Sequence, residues 1–363
     1  MFPYIYSHIT KVADFFELLK DSVKKMKNEI QQQFPLKPLN TFGIEANAAK
    51  YISIENETML PALYNTGAFS SKFFVLGGGS NVLFTQDYDG LIVHMRNKSI
   101  HHFIEGNFVY VTAAAGEIWN DLVWYCIHHD FAGLENMALI PGTVGASPIQ
   151  NIGAYGQELM HIFYSCSAFD TQTGAFVTFN NQDCQFSYRD SIFKKEWKGR
   201  YIICSVTYKL PIHAAINISY GAITSELNHR NIVQPTIKDV AEVVSFIRVE
   251  KLPDPSTVGN AGSFFKNPII SQEQFLELQH KFPEIVHYPL NNNEYKLAAG
   301  WLIEACGWKG KQIGQAAVWK NQALVLTNAG EATGNEIFNL SSRIVDDVYL
   351  QFGVKLDREV NIL

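Results

Sequence analysis

Two long glycine-rich loops in a strand-rich part of the chain constrain the fold more than any other feature. LGGGSN (76–81) follows a buried strand, and PGTVGASPIQNIGAYG spans residues 141–156. Neither fits the Gly-x-Gly-x-x-Gly dinucleotide fingerprint, since Val82 stands where the last glycine belongs, and neither carries the lysine of a P-loop. One such loop is typical of a tight turn. Two together favour a slot in which backbone N–H groups approach an anion such as a diphosphate.

The length and charge of the chain limit its class. At 363 residues, with 47% apolar residues, it exceeds the ~250–300 residues at which a single core stops growing, so two or three domains are expected. A net charge of −6 argues against a nucleic-acid binder, which would show a basic face.

The cysteines and the apolar runs indicate a cytoplasmic protein. The five cysteines form no Cys-x-x-Cys pair, so they are interpreted as reduced core residues, with no disulfide framework and no metal site. No apolar run approaches the ~18 residues that span a bilayer, and the N-terminus lacks the pattern of a signal peptide. No membrane and no nucleic-acid partner are expected. The cysteines are Cys126, Cys166, Cys184, Cys204 and Cys306.

Residues 1–34 differ from the rest of the chain. Five apolar residues near helical spacing predict an appended amphipathic helix: Val12, Phe15, Phe16, Leu19 and Val23. Met26 offers a second start, so this extension is expected to be helical and dispensable, and removal of Met1–Lys25 is expected to leave activity intact.

The remaining patterns predict an α+β architecture. Strands are predicted over 72–84, 90–95, 162–180, 200–210 and 354–363, and a helix over 116–130. Three further helices begin with capping patterns, Thr236-x-x-Asp239, Ser271-x-x-Gln274 and Thr333-x-x-Glu336, and another covers YKLAAGWLIEACG.

GNAGSFFKNP (259–268) places Ser263 after a flexible glycine run. A serine hydrolase would hold its nucleophile in a Gly-x-Ser-x-Gly elbow, but Phe265 stands where the second glycine belongs. From the residues alone, a turn is favoured over a nucleophile.

Seven motifs in a fixed order resemble one family. They are LNTFGI (39–44), LGGGSN, PGTVGASPIQNIGAYG, FSYRDSIF (186–193), KLPDP (251–255), GNAGSFFKNP and AAGWLIEACGWKG (298–310). As a set they resemble the UDP-N-acetylenolpyruvoylglucosamine reductases (MurB), in the longer form with a tyrosine loop, from about Pro38 to Val360. The resemblance implies an FAD-binding fold of the vanillyl-alcohol oxidase (PCMH) type in two subdomains, plus a C-terminal α+β substrate-binding domain.

The domain division expected from this resemblance has three parts. Residues 1–34 form the extension, 35–215 the FAD-binding domain and 216–363 the substrate-binding domain. Whether the last strand, 354–363, returns to the FAD-binding domain is left open.

The family's reaction is the reduction of UDP-N-acetylglucosamine enolpyruvate to UDP-N-acetylmuramate in peptidoglycan precursor synthesis. NADPH reduces a non-covalent FAD, and flavin N5 then gives hydride to the vinyl carbon, so the protein orients groups and stabilises charge. A monomer is expected, and the choice between NADPH and NADH is left open.

The resemblance also assigns roles to residues. The two loops are expected to hold FAD, and the reaction needs charge stabilisers and an acid. Arg189 suits the substrate carboxylate because its planar fork pairs in bidentate fashion. Ser263 is expected to protonate the enolate carbon, which is basic enough for a hydroxyl to suffice. The expected FAD contacts are Gly77, Gly78, Gly79, Ser80, Asn81, Pro141, Gly142, Thr143, Gly145, Ala146, Ser147, Gln150, Asn151, Gly153, Ala154 and Tyr155.

Glu359 is the third expected catalytic residue. Two like charges would repel if it and the substrate carboxylate were both ionised, so Glu359 is expected to be protonated or to share a proton. One departure weakens this assignment: Asn361 stands where relatives commonly carry a basic residue.

Four further residues match positions that bind the substrate or its diphosphate in the tyrosine-loop form. They are Tyr220, Lys251, Asn267 and Gln312.

Two rival functions stay open. An FAD oxidase or dehydrogenase of the same fold, acting on a small hydroxy acid or an alcohol, would keep the glycine loops. A non-enzymatic binder of nucleotide sugars would not need Arg189, Ser263 and Glu359 together.

Overall fold

The computed structural model describes residues 24, 26–212, 215–291 and 293–363. The strands are β1 Gln31–Pro35, β2 Asn47–Ile54, β3 Phe73–Leu76, β4 Val82–Leu83, β5 Tyr88–Met95, β6 Ile100–Glu105, β7 Phe108–Ala114, β8 Gly153–Ala154, β9 Gln157–Glu158, β10 Phe163–Asp170, β11 Phe176–Asn180, β12 Tyr201–Pro211, β13 Gly259–Ser263, β14 Ile269–Ser271, β15 His287–Pro289, β16 Glu294–Leu297, β17 Gln312–Ile313, β18 Ala316–Val318, β19 Val325–Asn328 and β20 Asn361–Ile362. The helices are α1 Met59–Asn65, α2 Trp119–His128, α3 Gly221–His229, α4 Ile237–Lys251, α5 Gln272–Lys281, α6 Ala299–Ala305 and α7 Gly334–Phe352.

Four larger sheets organise the described chain. A mixed sheet has the order β1-β2-β5-β3, and a five-stranded sheet has the order β11-β10-β12-β7-β6 with antiparallel pairs throughout. After α4 come a sheet β13-β19-β18-β17 and a smaller sheet β14-β16-β15. The mixture of strands and helices is the predicted α+β class. No helix in the described ranges is long and apolar enough to cross a membrane.

The cores show which parts pack together. One core joins Phe42 and Leu76 with Phe264 and Phe265, so it connects the N-terminal sheet to β13 and the helices that follow. Another lies under the five-stranded sheet and includes the apolar faces of α3 and α4. Packing therefore attaches α3 and α4 to the five-stranded sheet, whereas the sequence placed them in the C-terminal domain. An amphipathic pattern shows that a helix face is buried but not which core it covers. The boundaries themselves stay predictions.

The described end of the N-terminal extension is not all helical. Residues 26–29 are helical, but residues 31–34 belong to β1, which pairs antiparallel with β2. Phe34 stacks on Tyr51 with ring centroids 3.8 Å apart, which favours the strand. Met26 is buried beside Ile52 and Leu60. The apolar residues from Val12 to Val23 lie outside the described residues.

The predicted helix starts are confirmed where capping patterns were found. The side chains of Thr236, Ser271 and Thr333 each accept a backbone hydrogen bond in a complete capping box, at the starts of α4, α5 and α7. Gly353 ends α7 at φ +66°, a conformation that favours glycine.

The predicted final strand is shorter than expected. Regular pairing is limited to β20, which runs parallel to β4, and Arg358 forms an isolated bridge with Phe265. The alternation of buried residues holds, since Val354, Leu356 and Val360 are buried. The chain therefore returns to the first glycine loop through an irregular segment.

Candidate active site

The two glycine-rich loops meet face to face. A Cβ added at Gly77 would lie 2.3 Å from Thr143 Oγ1, and one added at Gly78 would lie 3.1 Å from Gly142 Cα. Asn81 Nδ2 donates to Gln150 Oε1 at 2.6 Å, so a side-chain bond also joins the loops. Glycine at residue 78 allows the two backbones to approach closely, and glycine at residue 77 leaves room for the Thr143 side chain.

The first loop leaves backbone donors free. The N–H groups of Gly78, Gly79 and Ser80 donate to no backbone carbonyl of the described residues. Gly79 has φ +64°, and a Cβ there would lie 1.9 Å from Leu39 O, so no other residue fits. Unpaired N–H groups in a glycine-rich loop suit an anion, which fits the diphosphate of the expected FAD.

The second loop uses some of its predicted ligands internally. Ser147 is buried and its Oγ donates to Val144 O at 2.7 Å. Asn151 is fully buried and bonds Ser187 O, Glu158 Oε2 and the N–H of Met160. Both side chains therefore use their hydrogen-bonding groups within the protein and shape the loop, and their predicted contact with FAD stays a prediction.

Other predicted members of the second loop differ in exposure. Pro141 and Ala146 are exposed, while Gly145 is buried against Ala115. Ala154 pairs with Gln157 in the small hairpin β8–β9.

Arg189 lies at the tip of a tight turn. Ser187 and Asp190 exchange two backbone hydrogen bonds of 3.1 Å, and Arg189 has φ +53° between them. Its Nη2 donates to Gly153 O at 2.6 Å, which ties the turn to the second loop. Asn151 and Tyr155 also have positive φ, at 46° and 48°. Such backbone strain clusters at functional sites.

Glu359 faces Arg189. Arg189 Nε lies 3.6 Å from Glu359 Oε1, and the two side chains are only 20% and 12% exposed. Burial raises the pKa of the Glu359 carboxyl, while Arg189, Lys194 and Lys266 act in the opposite direction. Burial is the largest of these effects, so the pKa of the Glu359 carboxyl lies above its usual range in spite of the three cations.

Backbone hydrogen bonds bring Ser263 beside Glu359. The N–H of Glu359 donates to Phe264 O at 2.8 Å, and the N–H of Phe264 donates to Leu324 O at 2.8 Å. Ser263 itself is exposed at the end of β13, just after Gly262 at φ +67°. The three residues predicted to be catalytic, far apart in sequence, are thus gathered by one loop, one strand and one C-terminal segment.

Thr41 connects this strand to the first glycine loop. Its N–H donates to Gly79 O at 3.1 Å, and its Oγ1 donates to Asn260 O at 2.6 Å. Through Thr41, the LNTFGI motif therefore holds the first glycine loop against β13.

Asn361 also supports the first loop. Its backbone N–H and its Nδ2 both donate to Asn81 O, at 3.1 and 2.9 Å. The residue that departs from the family pattern is a neutral support of the loop.

Two of the expected substrate residues lie near the site. Asn267 contacts Tyr188 and accepts the N–H of Ala299 at 2.9 Å through Oδ1. Tyr220 is 43% exposed, and its ring lies 5.2 Å from that of Tyr155.

The other two are not brought to the site by any described contact. Lys251 is exposed at the end of α4. Gln312 is exposed in β17 and donates to Gly314 O at 2.9 Å.

Sequence reasoning missed several residues that the structure places here. Lys194 and Lys266 act on Glu359, and Arg248 of α4 lies close enough to Tyr155 and Arg189 to act on both. A signal for Arg248 existed, since it falls on the side of α4 that carries the buried Ala241 and Val244. A charged residue on an apolar helix face has a partner or a function. Among the described residues, no group of three or more His, Cys, Asp or Glu could hold a metal ion.

Comparisons with known proteins decide the family. Residues 254–363 match a model described as UDP-N-acetylenolpyruvoylglucosamine reductase, C-terminal domain, and residues 51–179 match one described as FAD binding domain. The UDP-N-acetylenolpyruvoylglucosamine reductase of Flavobacterium johnsoniae is 49% identical over 92% of this chain and 100% of its own length. That of Amoebophilus asiaticus is 45% identical over 92% and 99%.

The chain belongs to the UDP-N-acetylenolpyruvoylglucosamine reductase family. The crystal structure of the family member MurB from Thermus caldophilus covers 92% of this chain and 98% of its own, with a TM-score of 0.63 at 21% identity, so it shares the fold. This reductase-family chain therefore has the expected FAD-binding fold, and FAD is its cofactor.

Proposed function

We propose that this chain is the NADPH-dependent, FAD-dependent UDP-N-acetylmuramate dehydrogenase of peptidoglycan precursor synthesis. The observation that carries the proposal is the convergence of Arg189, Ser263 and Glu359 beside the two glycine loops. Family membership supports the same reaction, because the relatives are named for reducing UDP-N-acetylenolpyruvoylglucosamine. A cytoplasmic location and a monomeric state stay predictions.

The loops would hold the FAD without a covalent bond. The free N–H groups of Gly78, Gly79 and Ser80 would donate to the diphosphate. Gly78 and Gly142, which pack closely where the loops meet, place no side chain in the way of an extended ligand. When bound, FAD supplies the hydride chemistry by taking hydride from NADPH and passing it to the vinyl carbon.

Arg189 and Glu359 would bind the substrate carboxylate. The guanidinium offers Nη1, which is buried and has no partner in the described chain, to a carboxylate oxygen. Glu359 in its neutral form would donate a hydrogen bond to the charge that develops as hydride arrives, and burial favours that form.

Ser263 would complete the reduction. Hydride adds to the vinyl carbon, the π bond of the C=C breaks while the C–C single bond stays, and the π electrons move towards the carboxylate. The proton of Ser263 Oγ then goes to the α-carbon, so one hydride and one proton have been added across the double bond. Exposure of Ser263 at the end of β13 leaves its hydroxyl open to a ligand.

Separate measurement of the two half-reactions tests the proposal. We expect Ser263→Ala to let NADPH reduce the flavin at the normal rate, but to slow reoxidation by the enolpyruvyl substrate by at least 10²-fold, the usual contribution of a general acid. Stopped-flow absorbance of the flavin follows both steps. Ser71→Ala, at an exposed serine outside the glycine loops, is the matched control.

Two results would reject the assignment. Equal damage to both half-reactions in Ser263→Ala would rule out the acid role. NADPH consumption that needs oxygen and is unchanged by the enolpyruvyl substrate would identify the oxidase rival.

A further inference from the structure

Arg248 carries a charge that the described protein does not neutralise. Its Nε is buried and has no hydrogen-bond partner. The ionisable neighbours that act on it are Tyr155 and Arg189, and neither is a carboxylate. Burial lowers the pKa of the guanidinium, because its charge is costly where water is excluded. A guanidinium whose Nε is buried with neither a hydrogen-bond acceptor nor an anion beside it is unusual in a native protein.

A second polar group lies beside it on the same helix. Ser245 Oγ is also buried without a partner, one turn before Arg248 on α4. Residues three apart on a helix lie on the same side, so both groups point in nearly the same direction.

Two of the unpartnered atoms belong to arginines that lie close enough to act on each other, and a third lies on the same helix. Four buried side-chain polar atoms of the described chain have no partner, and three belong to Ser245, Arg248 and Arg189. The fourth is Trp319 Nε1. Two guanidinium groups that repel each other, each with a free N–H, define a place where a ligand with negative charge would be stabilised.

The position of Arg248 indicates which part of the FAD it would face. The free N–H groups of the first loop suit the diphosphate, so a second anion site serves another group. Arg189 joins Arg248 to Glu359, beside Ser263, where hydride must be delivered. The flavin ring must therefore reach this place.

We propose that Arg248, assisted by Ser245, faces the pyrimidine edge of the flavin and stabilises the negative charge that the ring gains on reduction. Addition of one hydride at N5, with no proton taken up, leaves one negative charge on N1 and the C2 carbonyl. Oxidised flavin is neutral there, so Arg248 would favour the reduced form. The proposal rests on FAD binding at the proposed active site, but not on the identity of the substrate.

The midpoint potential of the bound flavin tests this role. We expect Arg248→Met to lower the equilibrium constant for reduction of the bound flavin at least tenfold. For a two-electron couple, this lowers the midpoint potential by about 30 mV. Dye-equilibrated reduction with xanthine and xanthine oxidase measures it without NADPH or UDP substrate. Arg248→Lys, which keeps a charge, should recover part of the shift. Arg230→Met, which removes an arginine paired with Glu226 on α3, should give the wild-type value.

The affinity for sulfite gives an independent reading. Sulfite adds to N5 and leaves the same negative charge on the ring, so Arg248→Met should weaken its binding at least tenfold. Ser245→Ala should weaken it less and in the same direction.

A variant that loses FAD during purification still gives an answer. The apoprotein is titrated with oxidised FAD and, under dithionite, with reduced FAD, and the ratio of the two dissociation constants gives the same shift. Equal weakening for both forms, or unchanged potential and sulfite affinity, would overturn the proposal. Because no enolpyruvyl substrate is used, failure of the reductase assay would leave this result unaffected.

Discussion

The burial of Glu359 affects which protonation state of this carboxyl is available to the reaction. Burial raises its pKa, while Arg189, Lys194 and Lys266 hold the rise in check. The neutral form therefore persists to higher pH than in water, and it is lost as pH rises through the folded-state pKa. The same sign applies to stability: the contribution is complete below the unfolded pKa and falls as pH rises through the folded one.

Glu359→Gln should separate the hydrogen bond from the proton. We expect slower reoxidation of the flavin by substrate, and loss of the decline in rate that Glu359 ionisation causes on the alkaline side. Lys266→Met should move that decline to higher pH, because it removes a cation that lowers the Glu359 pKa. The pH dependence of single-turnover reoxidation measures both. A Glu359→Gln profile identical to wild type would remove Glu359 from the mechanism.

Alanine substitutions at Gly79 and Gly106 would distinguish the effect of backbone strain from that of steric overlap. Both have positive φ, at 64° and 59°, but an added Cβ at Gly106 meets nothing within 4 Å, whereas at Gly79 it would overlap Leu39 O. Gly106→Ala should cost about 1–2 kcal/mol of unfolding free energy. Gly79→Ala should cost more and should also release FAD. Urea unfolding and flavin content after gel filtration measure both, and equal effects would contradict the loop assignment.

The capping box at the start of helix α4 helps to position Arg248, which lies in the last turn of the helix. Its capping box fixes where it begins, and its last turn carries Arg248 to the second glycine loop. Just over three turns of regular helix lie between the cap and Arg248, so the residue at which the helix begins fixes the position of the guanidinium along the helix axis.

Thr236→Ala should loosen this arrangement. Loss of the capping hydroxyl is expected to cost about 0.5–2 kcal/mol of unfolding free energy. Thr58→Ala is the matched control, since Thr58 precedes α1 and makes no capping bond with its side chain. Urea denaturation compares the two, and a smaller loss for Thr236→Ala than for Thr58→Ala would contradict the capping role.

Over the described residues, several local patterns could be predicted and long-range partners could not, although the predicted helices over 1–34 and over YKLAAGWLIEACG extended into residues that form β1 and β16. The capping boxes, the strand before LGGGSN and the buried alternation of 354–360 depend on neighbours in sequence. The attachment of α3 and α4 depends on which core receives an apolar face, and no periodicity encodes that.

The site shows the same division. The ordered motifs predicted catalytic roles for Arg189, Ser263 and Glu359, and the structure places these residues near one another, while their roles stay predictions. The sequence did not show that Ser147 and Asn151 are used internally, or that Arg248 lacks an anion, because both depend on hydrogen bonds in three dimensions.

Two truncations test at which residue the N-terminal segment begins to contribute to stability. Removal of residues 1–25 keeps Met26, β1 and the Phe34–Tyr51 stack, so we expect unchanged activity and thermal midpoint. Removal of residues 1–34 also deletes the buried Met26 and most of β1, and the thermal midpoint should fall. Differential scanning fluorimetry with and without added FAD compares them. Equal midpoints would show that β1 adds nothing.

The pairing of β20 with β4 has a consequence for biosynthesis. Asn81 in the first loop is held by Asn361, 280 residues later, and Thr41 holds the same loop to Asn260. A growing chain on the ribosome therefore displays the glycine loops long before their supports exist. Domains usually fold as units during synthesis, N-terminal first. In this chain, the first glycine loop gains its contact with Asn361 only after nearly the whole polypeptide has been translated. We therefore expect FAD to bind after β20 has been synthesised and has paired with β4.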